Sequence, residues 1–197
     1  GGVVGDFSGF LAGIYKRGIP YIQVPTTLLA QVDSGIGGKT ALDLPKGKNL
    51  IGLFYQPKAV ISDVSFLKTL SLKQLKSGLS EVIKYGLIRD SRLFDYIEKN
   101  CEKILLSDSQ SLEFIVTRCS QIKAEIVSED EIETKNLRTV LNFGHTIGHA
   151  VEAAGKFTRF THGEAVSVGM MFALDLSCDF GLLSCDTAGR VEALLRK

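Results

Sequence analysis

Hydrophobic and polar positions follow two different patterns along this chain. Up to about residue 70, short apolar runs are separated by glycine- and proline-rich breaks. They predict an amphipathic helix over 7–17, a strand over 21–24 closed by Pro25, and a second strand over 59–62 ending at Asp63. Thr26 and Thr27 stand where they can cap a short helix over 28–32. From Leu72 onward the apolar spacing is helical almost throughout and predicts helices near 72–88, 91–99, 109–128, 137–154, 162–180 and 186–196. The change of pattern predicts an α/β unit over 1–70 followed by an all-α unit over 71–197, with no internal repeat.

One predicted helix interrupts its own apolar pattern. Arg138, Asn142, His145, His149 and Glu152 step by four, three, four and three, so a continuous helix over 137–154 would carry them as one stripe. Burying such a stripe is costly unless a metal, a charged substrate or a partner satisfies it. All three histidines of the chain, at 145, 149 and 162, lie in this region, which favours a site. His145 and His149 at i, i+4 have the spacing of two imidazoles sharing a metal, and His162 can fold back as another ligand. The plain alternative is a structural histidine pair. Thr146 stands where a zinc protease helix needs its catalytic Glu, which disfavours protease chemistry. Glu81, one helical turn from Lys84 among apolar neighbours, is a candidate carboxylate ligand. An ordinary surface ion pair is the competing reading.

Glycine-rich turns with lysines suit phosphate, because backbone N–H groups can approach oxygen while Lys supplies charge. Two such stretches occur: Gly1-Gly2-Val3-Val4-Gly5-Asp6, and a loop over 33–39 continued by Gly47-Lys48-Asn49. Neither is a G-x-G-x-x-G or a Walker A loop, since Ser34 stands where the latter needs glycine. A net charge of +1 gives no electrostatic case for nucleic acid or an anionic membrane. No run approaches the roughly 18 apolar residues of a membrane span, and no signal-peptide layout is present. The four cysteines have no zinc-ribbon or C-x-x-C spacing and read as free thiols of a reducing cytosol, so a cytoplasmic protein is expected. The chain opens at Gly1-Gly2, without a methionine and directly in a phosphate-type turn, and is expected to be a piece of a longer protein.

Six blocks, GGVVGDFSGF, RGIPYIQVPTTLLAQVDSGIGGKT, GKNLIGLFYQP, SGLSEVIKYG, LRTVLNFGHTIGHAVE and HGEAVSVGM, occur in order from residue 1 to about 175. Together they resemble the dehydroquinate synthase family of sugar-phosphate cyclases. The resemblance implies a truncated Rossmann-like NAD domain over 1–70 and a helical metal- and substrate-binding domain over 71–197. It implies an NAD- and zinc- (or cobalt-) dependent lyase of the shikimate pathway, which converts 3-deoxy-D-arabino-heptulosonate 7-phosphate to 3-dehydroquinate with loss of phosphate. By that likeness Glu81, His145 and His162 are the metal ligands, and His149 is a substrate-side residue near the leaving phosphate. NAD contacts are implied along Gly2, Val3, Val4, Gly5 and Asp6, at Thr26, Thr27, Asp33, Lys39 and Lys48, and at Phe66, Leu67, Lys68 and Thr69. Substrate and catalytic contacts are implied at Lys39, Asn49, Lys84, Lys123, Glu133, Arg138, Asn142 and His149. A homodimer is implied, with Arg17 near the partner's site.

The sequence departs from the family pattern in places. Glu133 to Arg138 is one residue longer than the common spacing, the loop reads Asp33-Ser34-Gly35 where a second Ser is usual, and Asp43 stands where Asn is common. The early strands that grip adenosine and a lysine beyond the C-terminus that assists phosphate are also missing. Competing readings are another cyclase, of the 2-deoxy-scyllo-inosose or valiolone type, a metal-dependent polyol dehydrogenase, or an inactive fragment.

Overall fold

The computed structural model describes residues 1–44 and 47–197, without the side chains of Asp43 and Lys48. Helix α1 spans Gly2–Ile14 and β1 Ile22–Gln23. A helical turn from Leu28 widens into a π-helical segment, Ala30–Ser34. Strands β2 (Lys39–Leu44) and β3 (Gly47–Phe54) form an antiparallel hairpin. Strand β4, Ala59–Val60, pairs parallel with β1, with Ile22 opposite Ala59 and Gln23 opposite Val60. A 3-10 turn, Val64–Thr69, leads into helices α2 (Leu72–Ile88), α3 (Ser91–Leu105), α4 (Ser109–Glu129), α5 (His145–Ala154), α6 (His162–Asp179) and α7 (Cys185–Leu195).

Most helices after α1 begin at a side chain that satisfies an orphan backbone N–H. Ser71 accepts from Gln74, Asp90 from Arg92 and Leu93, and Asp108 from Ser111. Thr161 and Glu164 form a reciprocal capping box at α6. The main apolar core is built from α2, α3, α4 and α7, with Leu28, Val32 and Leu67 reaching into it from the α/β part. Helix α2 is central: it packs on α3, α4 and α6, and its residues from Ser77 to Gly86 are all buried.

Three expectations are corrected. The turn over 1–6 is the start of α1, with Gly1 as its cap residue, so the helix begins five residues before Phe7. The segment read as a lysine-bearing glycine loop around Gly47-Lys48-Asn49 is strand β3 of a hairpin. The helix over 137–154 is two pieces, a 3-10 segment Leu137–Asn142 and α5. Phe143 is extended at ψ 125° and Gly144 lies at φ 78°, so the chain turns there and the polar stripe is not continuous.

Candidate metal centre and the cleft beside it

Three helices each deliver one polar side chain to a common point. Glu81 lies mid-α2 and is 0% exposed, while His145 and His162 are the first residues of α5 and α6. The helices meet this closely because backbone, not side chain, forms the contacts. A Cβ on Gly163 would stand 2.2 Å from the Ser77 carbonyl oxygen of α2, and one on Gly169 would stand 1.8 Å from the Gly144 carbonyl oxygen ahead of α5. The Gly163 N–H also donates to Ser77 Oγ at 3.0 Å, which seats the start of α6 against α2.

One ligand atom each from Glu81, His145 and His162 lies within 4.8 Å of the others. Glu81 Oε1 stands 3.5 Å from His162 Nε2 and 3.6 Å from His145 Nε2. Among the described residues neither Glu81 oxygen has a hydrogen-bond donor, although Oε2 is ion-paired with the buried Lys84 ammonium. Distances of 3.5–3.6 Å are long for hydrogen bonds. They match the edge, about 3.4 Å, of a tetrahedron with arms of about 2.1 Å, the bond length of zinc to imidazole or carboxylate. The donor set therefore fits a divalent ion of the zinc class better than its members fit one another.

Charge is arranged to the same end. Burial pushes the Glu81 carboxyl up, but the Lys84 charge and the His162 contact outweigh it and hold it below the usual carboxylate range. Burial lowers His145, whereas for His162 the contact with Glu81 outweighs burial and raises it. Behind the rings, His145 Nδ1 lies 3.2 Å from the Phe143 carbonyl and His162 Nδ1 lies 3.4 Å from Glu152 Oε1.

A polar cleft of about 450 Å³ is lined by Asp6, Asp33, Lys39, Asn49, Lys123 and Arg138, among others. Lys123 donates to Asp33 Oδ1 at 2.6 Å and to the Asp33 carbonyl at 2.5 Å, and the Tyr85 phenol donates to the same carboxylate oxygen at 2.7 Å. Despite burial, the Lys123 and Lys84 charges hold the Asp33 carboxyl far below its ordinary range. Lys39 pairs with Glu133 at 2.5 Å. The longer loop before Arg138 is tied by Asp130, whose carboxylate accepts from the N–H groups of Thr134, Lys135 and Leu137. Arg138 is 2% exposed, lies over the Phe54 ring and donates to the Glu131 carbonyl, while its Nε has no partner among the described residues. A larger cavity of about 710 Å³ between α2, α3, α6 and α7 contains none of the residues nominated from sequence.

The remaining nominated residues fall as follows. His149 is exposed, its ring centroid 5.4 Å from His145 and 6.5 Å from His162, outside the three-atom cluster. Asn142 is exposed at the end of the 3-10 segment. Gly2 to Asp6 form the first turns of α1; Thr26 and Thr27 follow β1, and Phe66 to Thr69 follow β4. The segments after β1 and β4 gather because the two strands run parallel and Gln31 clamps the loops after them, donating to the Pro25 and Asp63 carbonyls at 3.1 and 2.8 Å. Leu67 is buried in the core, which leaves Phe66, Lys68 and Thr69 exposed beside it. Arg17 is exposed beyond the end of α1. The Lys48 side chain lies outside the described residues. Sequence reasoning missed Tyr85, four residues after Glu81 on α2, and the Ser77–Gly163 and Gly144–Gly169 contacts. Only the Tyr85 spacing carried a signal.

Two solved structures share this architecture along the entire chain and place its fold among the sugar-phosphate cyclases. A 2-epi-5-epi-valiolone synthase from Streptomyces hygroscopicus, with NAD+ and Zn2+ bound, is 33% identical with a TM-score of 0.93, covering 100% of this chain and 55% of that one. A 2-deoxy-scyllo-inosose synthase complexed with carbaglucose-6-phosphate, NAD+ and Co2+ is 36% identical with a TM-score of 0.90, covering 100% and 53%. Family models described as 3-dehydroquinate synthase N-terminal and 3-dehydroquinate synthase C-terminal match residues 1–77 and 78–197. The 3-dehydroquinate synthase of Citrifermentans bemidjiense is 52% identical over 99% of this chain and 54% of its own length, and that of Pelotomaculum thermopropionicum is 51% identical over 100% and 53%. The chain belongs to the 3-dehydroquinate synthase family, and it spans about half the length of the curated relatives it matches.

Proposed function

We propose that this chain carries the metal-binding helical unit, and the adjoining part of a Rossmann-like cofactor unit, of a 3-dehydroquinate synthase, the two dividing near residue 70. The reaction is conversion of 3-deoxy-D-arabino-heptulosonate 7-phosphate to 3-dehydroquinate and phosphate. The observation that carries this reading is the convergence of Glu81, His145 and His162 from three helices, linked through Lys84 to a polar cleft lined by Lys39, Lys123 and Arg138 as well as Asp6 and Asp33. When bound, zinc or cobalt supplies Lewis-acid polarisation of adjacent hydroxyls and NAD a transient hydride acceptor.

The chain's own residues hold the reactants in place. Glu81, His145 and His162 hold the ion, while Lys84 neutralises the second Glu81 oxygen and keeps the carboxylate aimed. Lys39, Asn49, Lys123 and Arg138 bind the anionic and hydroxyl groups of the sugar phosphate, and the unpartnered Arg138 Nε is an N–H donor waiting for an acceptor. Asp33 fixes Lys123 for this purpose. His149, beside His145 on α5, and Asn142, exposed at the end of the 3-10 segment, serve the leaving phosphate, and Glu133 sets the position of Lys39. The first turn of α1, with its unpaired backbone N–H groups, Thr26, Thr27, Lys48 and the 66–69 turn receive the NAD phosphates and ribose. Thr26, Thr27 and the 66–69 turn do so beyond the carboxyl ends of the parallel strands β1 and β4, where such ligands bind.

Relatives bearing this activity are 50–52% identical, against 33–36% for the two other cyclases. That margin favours the heptulosonate phosphate as substrate. A cytoplasmic homodimer with Arg17 reaching the partner's site completes the proposal. Among the described residues no helix is long and apolar enough to cross a membrane. The test is phosphate release from the heptulosonate phosphate with NAD, in a polypeptide of the relatives' full length. Release that stops with a chelator and returns with zinc supports the reading; turnover of a different sugar phosphate in its place overturns it.

A further inference from the structure

We propose that Glu152 is a positioning residue of the metal centre, a buried carboxylate that fixes the tautomer and orientation of His162. The proposal rests on the metal-centre reading above. His162 lies between two buried carboxylates: Nε2 is 3.5 Å from Glu81 Oε1, and Nδ1 is 3.4 Å from Glu152 Oε1. Glu152 is 3% exposed on the last turn of α5, a place where an acid gains nothing from solvent. A carboxylate can only accept, so with an ion on Nε2 the ring must carry its hydrogen on Nδ1, and Glu152 is the acceptor that holds it there.

His145 is supported differently. Its Nδ1 faces the neutral Phe143 carbonyl at 3.2 Å, a backbone group of the segment that turns into α5. A charged acceptor makes its imidazole a stronger donor to a metal than a neutral one does, so the two histidines are unequal ligands, His162 the stronger. Because Glu152 and His145 share α5 while His162 opens α6, Glu152 also ties the second helix to the first across the site. The remaining polar member of the predicted stripe thus acts from behind the ring.

The test uses Glu152→Gln, which keeps shape and an acceptor oxygen, and Glu152→Ala, which removes both. Zinc affinity is measured by competition with a chromophoric chelator, alongside circular dichroism, and solvent exchange of the His162 Nδ1–H is read by nitrogen-15 NMR in zinc-loaded protein. The expected result is zinc binding weakened about tenfold by Gln and up to about a hundredfold by Ala, in keeping with the usual cost of losing such a partner. The His162 Nδ1–H should be held in a hydrogen bond and exchange slowly in the parent, and exchange faster in the Ala variant. If Ala fails to fold, the Gln variant decides. Zinc affinity within twofold of the parent in the folded variants, or a His162 Nδ1–H that exchanges no faster in the Ala variant, overturns the role of Glu152. Absence of zinc binding by the parent itself would instead overturn the metal centre.

Discussion

At the scale of single residues, the three histidines separate by what stands behind and before each ring. His145 and His162 face a buried carboxylate, while His149, one turn along α5, is exposed. Glu81→Gln and His162→Ala are therefore expected to lose zinc, and His149→Ala to keep zinc at parental stoichiometry while turnover falls about a hundredfold. Metal analysis of the three variants beside a turnover assay checks this, and equal metal loss in all three would show that His149 is a ligand. Spacing could not have made this choice, because i, i+4 fixes a helix face and not which imidazole meets a carboxylate from another helix. Glu81 was legible as a candidate from its place one turn from Lys84 among apolar residues, a reading that left an ordinary ion pair open, and only its sequence block implied the ligand role. Asp33 gives a pH prediction. Its folded carboxyl is held far below the unfolded value of about 4, so its stabilising share is complete above that value and is lost as the pH falls further. Acid unfolding of Asp33→Asn should show a shallower slope below about pH 4 than the parent, together with lower stability at neutral pH, because Lys123 is left buried without its partner. A parental acid limb in the variant would contradict this role.

At the scale of elements, the site depends on how closely helices approach. Gly163 and Gly169 sit where an added methyl would meet a carbonyl oxygen that cannot move aside. Gly163→Ala should cost about 1–3 kcal/mol in denaturant unfolding and weaken zinc binding by pushing His162 off Glu81. Gly189 on α7 has nothing within 4 Å of such a methyl, and Gly189→Ala should stabilise by about 0.5–1 kcal/mol. If both glycines respond alike, close approach is not what places the ligands. Helix existence was largely legible, since 72–88 matches α2 and the later periodic runs match α3, α4, α6 and α7 within a few residues at each end, α3 running six residues farther. The break at Gly144 was not, because Arg138 to Glu152 keeps helical spacing through a residue at positive φ. The hairpin was missed for a related reason: glycine and lysine dominated the reading of a segment whose Leu42, Ile51 and Leu53 alternate as strand residues.

At the scale of the whole molecule, charged side chains link the metal centre to Asp33 in the lining of the polar cleft. Lys84 is paired with Glu81 on one side and bears electrostatically on Asp33, whose carboxylate receives Lys123 and Tyr85, on the other. The ligand cluster and the cleft are therefore coupled electrostatically through a short chain of charged side chains. The change from alternating strands and helices to helices alone was visible in the sequence near residue 70. The packing that presses α2, α5 and α6 together was not, because it is written in glycines whose partners lie far away along the chain. The most direct measurement is anomalous diffraction at a metal edge from crystals of the chain soaked with zinc or cobalt. One ion within about 2.0–2.2 Å of the Glu81 carboxylate, His145 Nε2 and His162 Nε2, with His149 outside the coordination shell, is the expected result. Metal bound elsewhere, or no peak at saturating metal, would contradict the account.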